Sequence, residues 1–140
     1  MSIFDNIFVW EMRVIAQEIK QDLATLFLDF EKAYDRVDWN FLYEVMGHLG
    51  LPVDYVKVVF ALYNSASSRV LVGGALGNTF PVTRSVRQGC PLAPYLFLFV
   101  GEAFSAFLHK NRLSIKGVQW SNMEEVVLDC EFADDTALYV

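Results

Sequence analysis

The spacing of apolar residues along the chain predicts four helices. In the first three of them an apolar side chain recurs every three or four positions, which is the period of one helix face. The fourth is apolar on most sides, and Pro94 fits its first turn. Capping and stop residues mark the ends of the second helix, because Asp38 can cap its start and Gly50 followed by Pro52 ends it. The predicted helices cover residues 5–20, 38–49, 52–66 and 94–110.

Shorter apolar runs between these helices predict strands. Residues 23–29 form a continuous apolar run that ends in Asp29 and is typical of a buried strand. Residues 69–83 predict a β-hairpin around a glycine-containing turn at 73–77. Apolar runs at 126–128 and 137–140 predict a second hairpin, with Asp134 and Asp135 at its turn. The mixture predicts an α+β fold, with helices packed on a small antiparallel sheet.

Composition narrows the class of protein. The 140 residues fit one domain or part of a larger one, and 54% of them are hydrophobic. No apolar run reaches membrane-spanning length, so no membrane partner is expected. Cys90 and Cys130 lack CxxC spacing, which indicates reduced thiols in an intracellular protein. The net charge of −6 argues against a self-sufficient nucleic-acid binder, and the mean hydropathy of +0.31 fits a core fragment better than a complete soluble domain.

The adjacent acids Asp134 and Asp135 are the first candidate for chemistry. Neighbouring carboxylates in apolar surroundings either point to water or are compensated by a cation. Asp is common in turns, so a solvated turn tip remains an alternative. Asp29 also ends an apolar strand, and three carboxylates converging at a sheet edge would hold two divalent cations about 3.5–4 Å apart. Magnesium suits such a site because it prefers oxygen ligands.

Three segments carry a resemblance to a known family. The segment LDFEKAYDRVDW at 28–39 resembles the first catalytic motif of reverse transcriptases, most of all those of non-LTR (LINE-type) retrotransposons. The segment VRQGCPLAPYLF at 86–97 resembles their second motif, and FADD at 132–135 resembles the third. The motifs occur in the family's order, and the resemblance covers nearly the whole chain.

The resemblance implies a metal site made of the three acids. Asp29 and Asp134 would be the principal ligands of two Mg²⁺ ions, with Mn²⁺ as a possible substitute and with Asp135 assisting. The backbone carbonyl of Phe30 would complete the coordination. In-line displacement at phosphorus is the reaction that such a pair of ions supports.

The resemblance also implies residues that contact nucleotide and template. Tyr34 would pack under the incoming sugar and exclude a 2′-hydroxyl, although it could equally be an ordinary core aromatic. Gln88 and Gly89 would line the nucleotide and template side, with the alternative that Gln88 only caps its loop. Arg87 could contact phosphate or merely an acidic neighbour. Ser85 stands where the family often has glycine.

These resemblances imply a single partial reverse transcriptase domain over residues 1–140. It would contain the polymerase palm and partial fingers, from the first through the third motif, without the thumb and the upstream fingers. The expected activity is RNA-templated DNA synthesis, with an RNA template, a DNA primer and deoxynucleoside triphosphates as partners and the nucleus as its location. Two alternatives stay open: an inactive retroelement remnant or interaction module without catalysis, and another two-metal enzyme such as a nuclease.

Overall fold

A computed structural model describes residues 3–111, 117–119, 126–132 and 135–140, with side chains from residue 9 onward except at 132. The mixed helix and strand content confirms the predicted α+β class. Over these residues, no helix is both long and apolar enough to span a membrane. In chain order the elements are α1 (Ile3–Glu18), β1 (Thr25–Asp29), α2 (Ala33–Arg36), α3 (Trp39–His48), α4 (Val53–Tyr63), β2 (Ser67–Ser68), β3 (Leu71–Val72), β4 (Ala75–Leu76), β5 (Phe80–Pro81), α5 (Ala93–Lys110), β6 (Val118–Gln119), β7 (Val126–Val127), β8 (Asp129–Phe132) and β9 (Asp135–Tyr139).

The chain divides into two compact units. The first contains Met1–Glu31 and Gly101–Val140, and the second contains Lys32–Val100. All four predicted helices are present, as α1, α3, α4 and α5. The short helix α2 was not predicted from the apolar spacing, because four residues are too few to show a period.

A three-stranded antiparallel sheet forms the centre of the first unit, in the order β1, β9, β8. Apolar residues of α1 and of the strands pack into one core, whose buried members are Met12, Val118, Ala137 and Tyr139. β1 was predicted to be a buried strand, and this is wrong for two of its side chains, since Leu26 and Phe27 are about half exposed. The reason is its place in the sheet: within the described residues β1 pairs on one side only.

The C-terminal hairpin has a different first arm from the predicted one. β7 was expected to pair across the turn, but it pairs with β6, and β8 is the partner of β9. β8 alternates polar and apolar residues, which is the period of a strand, but its four residues are too few to separate it from the apolar run at 126–128 that was taken as the first arm. Its acids, Asp129 and Glu131, are accommodated because they lie against α5, as shown below.

The second unit is built on α3 and α4 with the start of α5. Asp38 caps α3 as predicted, because its Oδ1 accepts a hydrogen bond from the Phe41 N–H at 3.0 Å. The predicted hairpin is present, but its turn is shorter than 73–77: Gly73 and Gly74 make the turn with positive φ angles, and β4 starts directly after them. The buried core residues are Val37, Leu42, Met46, Val59, Tyr63, Val86, Ala93, Leu96 and Phe97.

Candidate active site

Two of the three predicted metal ligands face each other across the sheet of the first unit. The register of β1 and β9 places Asp29 directly opposite Asp135. Directly opposite residues of an antiparallel pair project to the same face, with Cβ atoms about 5 Å apart. The third acid, Asp134, lies outside the described residues, as does Ala133. The structure therefore brings together the strand ends that the sequence singled out, for the two acids it describes.

The chemistry of this pair fits a divalent cation. The side chain of Asp29 is exposed and that of Asp135 is partly buried, so the carboxylates sit at the border of solvent. Two like charges at this spacing repel each other, and a cation between them removes the repulsion. Carboxylate oxygens are also the ligands that Mg²⁺ prefers. Where the structure describes side chains, it contains no group of three or more His, Cys, Asp or Glu residues arranged to hold a metal.

Phe30 follows the acid at the end of β1. Its ring makes an edge-to-face contact with Phe104 of α5, with ring centroids 5.6 Å apart and an interplanar angle of 87°. Contacts of this type stabilise a structure beyond the burial of their area. The contact therefore anchors the backbone just after Asp29, where the predicted carbonyl ligand lies.

In the second unit, hydrogen bonds join the segments that resemble the first and second motifs. The Val86 N–H donates to the Tyr34 carbonyl and the Ser85 N–H donates to the Val37 carbonyl, both at 2.8 Å. The indole N–H of Trp39 donates to the Ser85 carbonyl, also at 2.8 Å. These bonds fix the start of the loop that carries the predicted nucleotide-side residues.

That loop presents Arg87, Gln88 and Gly89 to solvent. Gly89 has a φ of 79°, and a Cβ added there would meet nothing within 4 Å. The glycine is therefore explained by its left-handed backbone, which other residues adopt only with strain. The exposed Arg87 and Gln88 side chains can reach a polar ligand; their roles remain predictions.

Tyr34 packs against the start of α5. Its half-buried ring stacks on Phe97 with centroids 4.6 Å apart and an interplanar angle of 9°. One face of the ring is therefore covered by protein. This contact fits the core interpretation of Tyr34.

Sequence reasoning missed two aromatic residues that position the loop. Tyr63 is buried, and its side chain forms a hydrogen bond with the Arg87 backbone. Burial raises the pKa of Tyr63 and Cys90 adds to the rise, while the bond to Arg87 opposes it, so the phenol is neutral at pH 7. Trp39 packs on Tyr63 with ring centroids 5.5 Å apart. Tyr63 was visible only as one more member of the apolar stripe of α4, which gives no sign of its hydrogen bond.

Comparisons with known proteins agree with the motifs. The family described as "Reverse transcriptase (RNA-dependent DNA polymerase)" matches residues 2–140. The chain is 32% identical over 138 residues to the "Transposon TX1 uncharacterized 149 kDa protein" of Xenopus laevis, an alignment covering 98% of this chain and 10% of that protein. It is 30% identical over 111 residues to the "Retrovirus-related Pol polyprotein from type-1 retrotransposable element R2" of Nasonia vitripennis, covering 79% of this chain and 10% of that protein. The chain thus spans about a tenth of the length of these relatives.

Proposed function

Since the chain belongs to the reverse transcriptase (RNA-dependent DNA polymerase) family, we propose that it supplies the palm and part of the fingers of a non-LTR retrotransposon enzyme. The proposed reaction is RNA-templated DNA synthesis. Its partners are an RNA template, a DNA primer and deoxynucleoside triphosphates, and its proposed location is the nucleus. The similarity to a transposon protein and to a retrotransposon Pol polyprotein supports this proposal.

The observation that carries the proposal is the direct pairing of Asp29 with Asp135. Asp29 and Asp134 would hold the catalytic cations as principal ligands, with Asp135 assisting and the Phe30 carbonyl completing the set. When bound, two divalent ions would activate the attacking 3′-hydroxyl and neutralise charge on the leaving pyrophosphate. The sheet contributes preorganisation, because paired strands hold the carboxylates in place before substrate arrives.

The loop of the second unit has a binding role in this proposal. Gln88 and Gly89 would contact nucleotide and template, and Arg87 would contact phosphate as a charge-assisted donor. Tyr34 would lie under the sugar and would disfavour a 2′-hydroxyl there. The hydrogen bonds from Ser85 and Val86 support this role, because they hold the loop by its backbone and leave its side chains for ligand.

A non-catalytic interaction module is the second candidate. The observation in its favour is the exposure of large apolar side chains on several elements, among them Leu26 of β1, Val58 and Leu62 of α4, and Leu98 of α5. This candidate needs no metal site. Metal binding by the acid pair therefore separates the two.

The first experiment is a thermal melt of the purified chain with and without millimolar Mn²⁺ or Mg²⁺, beside Asp29→Asn and Asp135→Asn. A cation that binds only the folded state raises stability by mass action, by about 1.4 kcal/mol at ten times its Kd. Each variant is compared with its own melt without metal, because an Asp→Asn substitution also changes the stability of the metal-free chain. With metal, only the original chain should gain stability.

Asp22→Asn is the matched control, because Asp22 is an exposed acid on the segment before β1. It should respond to metal like the original chain. An equal metal response in Asp29→Asn would contradict the proposed site. In a protein that carries this chain, Asp134→Asn should lower primer extension at least about 100-fold, the scale of losing one transition-state contact, and near-normal extension would refute the catalytic role.

A further inference from the structure

A glycine lies inside the 18-residue helix α5, where glycine is less favourable than alanine. The structure gives a reason for it. A Cβ added at Gly101 would lie 2.5 Å from Oε2 of Glu131, closer than any real contact. Gly101 therefore leaves a notch in the helix surface that the carboxyl group of Glu131 fills.

The notch is one of several contacts between α5 and β8. Gly101 and Ser105 are four residues apart, as are Ser105 and His109, so the three share one face of the helix. Glu131 and Asp129 are two residues apart and share one face of the strand. Oδ1 of Asp129 accepts a hydrogen bond from Oγ of Ser105 at 3.4 Å and lies 3.9 Å from Nε2 of His109.

We propose that Glu131, seated in the notch at Gly101, is a positioning residue for the hairpin of β8 and β9. By fixing β8 against α5 it sets the place where β9 begins, at Asp135, which pairs with Phe132 of β8 and with Asp29 of β1. Its effect on the reaction rests on the proposed function. Its effect on the fold does not.

Glu131 fits this place best when it carries a proton. Burial raises the pKa of Glu131 to about 7, and the carboxylates of Asp129 and Glu102 add to the rise. Other groups from the packed elements are His109 of α5, which lies beside Asp129, and Thr136 of β9, which lies opposite Glu131 and does not titrate. A protonated carboxyl placed between these groups avoids a third negative charge.

The raised pKa makes stability depend on pH in a defined direction. Because the folded chain holds this proton more tightly than the unfolded chain, the stabilisation is fully present below the ordinary pKa of 4.5. It is lost as the pH rises from there through about 7. The contribution of Glu131 should therefore lower the melting temperature by a few degrees between about pH 4.5 and pH 7, with no further fall above that range.

The test is a series of thermal melts in metal-free buffer from below pH 4.5 to above pH 7, with Glu131→Gln and Glu11→Gln. Glutamine keeps the shape of a protonated carboxyl and does not titrate, so Glu131→Gln should flatten the fall and melt above the original chain at high pH. Glu11 is exposed on α1 of the same unit, and Glu11→Gln should keep the original profile. An unchanged profile in Glu131→Gln would overturn the proposal.

A second comparison tests the notch itself. Gly47 lies in helix α3, and a Cβ added there meets nothing within 4 Å. Gly47→Ala should therefore raise the melting temperature. Gly101→Ala should gain less than Gly47→Ala when Glu131 is present, because the carboxyl group of Glu131 has to move, and should gain as much when Glu131 is replaced by alanine. A gain in Gly101→Ala equal to that in Gly47→Ala would overturn the proposal.

Added Mn²⁺ separates this proposal from the proposed function. If metal does not stabilise the original chain, the proposed metal site is wrong. The role of Glu131 is unaffected by that result, because the melts without metal test it separately. Where the original chain responds, Gly101→Ala should need more Mn²⁺ for half of its effect, and Glu131→Gln should need the same amount as the original.

Discussion

A single backbone angle at Ser85 shows how the loop before Arg87 is held. Ser85 has a φ of 103°, in the region where side chains are strained and glycine is favoured. Its N–H donates to Val37 and its carbonyl accepts from Trp39, so the surroundings impose the conformation. Strain of this kind persists only where neighbouring contacts determine it. Reverse transcriptases, which the chain resembles here, often have glycine at this position.

Ser85→Gly should therefore stabilise the chain by about 1 kcal/mol, the relieved strain less the entropy that glycine loses on folding. Urea unfolding measures this as a higher midpoint with an unchanged slope. Ser85→Ala is the control, since it removes the hydroxyl and keeps the strain, and it should gain nothing. Equal midpoints for all three chains would show that the backbone at Ser85 is not strained in solution.

At the scale of elements, the cap of α3 illustrates what local sequence determines. The sequence predicted Asp38 as the N-terminal cap of α3. The hydrogen bond from the Phe41 N–H to Asp38 Oδ1 confirms this prediction. Asp38→Ala leaves that N–H without its acceptor and should cost about 1 kcal/mol. Asp38→Asn keeps an acceptor and should cost much less. The measurement is again the urea midpoint, and equal losses in both variants would mean that the charge of Asp38, not its capping bond, stabilises α3.

Elements whose partners lie nearby in sequence were predicted well, and those defined by distant contacts were not. The helices follow from a period that each segment carries in itself. β8 was missed because its polar and apolar alternation covers only four residues, and the contacts of Asp129 and Glu131 with α5 lie far away in the chain. The exposure of Leu26 and Phe27 was also hidden, because the sequence does not say which strand lies at the edge of a sheet.

The residues of the candidate site also fall into those that the sequence reveals and those that it does not. Acids at strand ends are visible in sequence, so Asp29 and Asp135 were found, and their register confirms that the two strand ends pair. Tyr63 and Gly101 act through contacts with Arg87 and Glu131, far away in the chain. No local pattern marks such contacts, because an aromatic residue in an apolar stripe and a glycine in a helix have many ordinary explanations.

At the scale of the whole molecule, exposed apolar surface and net negative charge have opposite effects on association between copies of the chain. Leu26 of β1 is 50% exposed and Leu62 of α4 is 62% exposed, while the net charge is −6. Exposed apolar side chains favour association, and like net charges oppose it. β1 adds a second reason for association, because among the described residues one of its edges has no paired strand. Unpaired edges can join edges of other copies.

The purified chain should therefore associate as its concentration rises, and more so in high salt, because salt screens the repulsion between copies. Sedimentation velocity would show this as a rising sedimentation coefficient. Leu26→Glu places a charge on the open strand, raises the net negative charge and should reduce the association. Leu62→Glu adds the same charge to a helix, whose backbone groups are already bonded, and should reduce it less. Equal reductions would assign the association to apolar area alone, and a constant sedimentation coefficient in the original chain would show that its charge outweighs both causes.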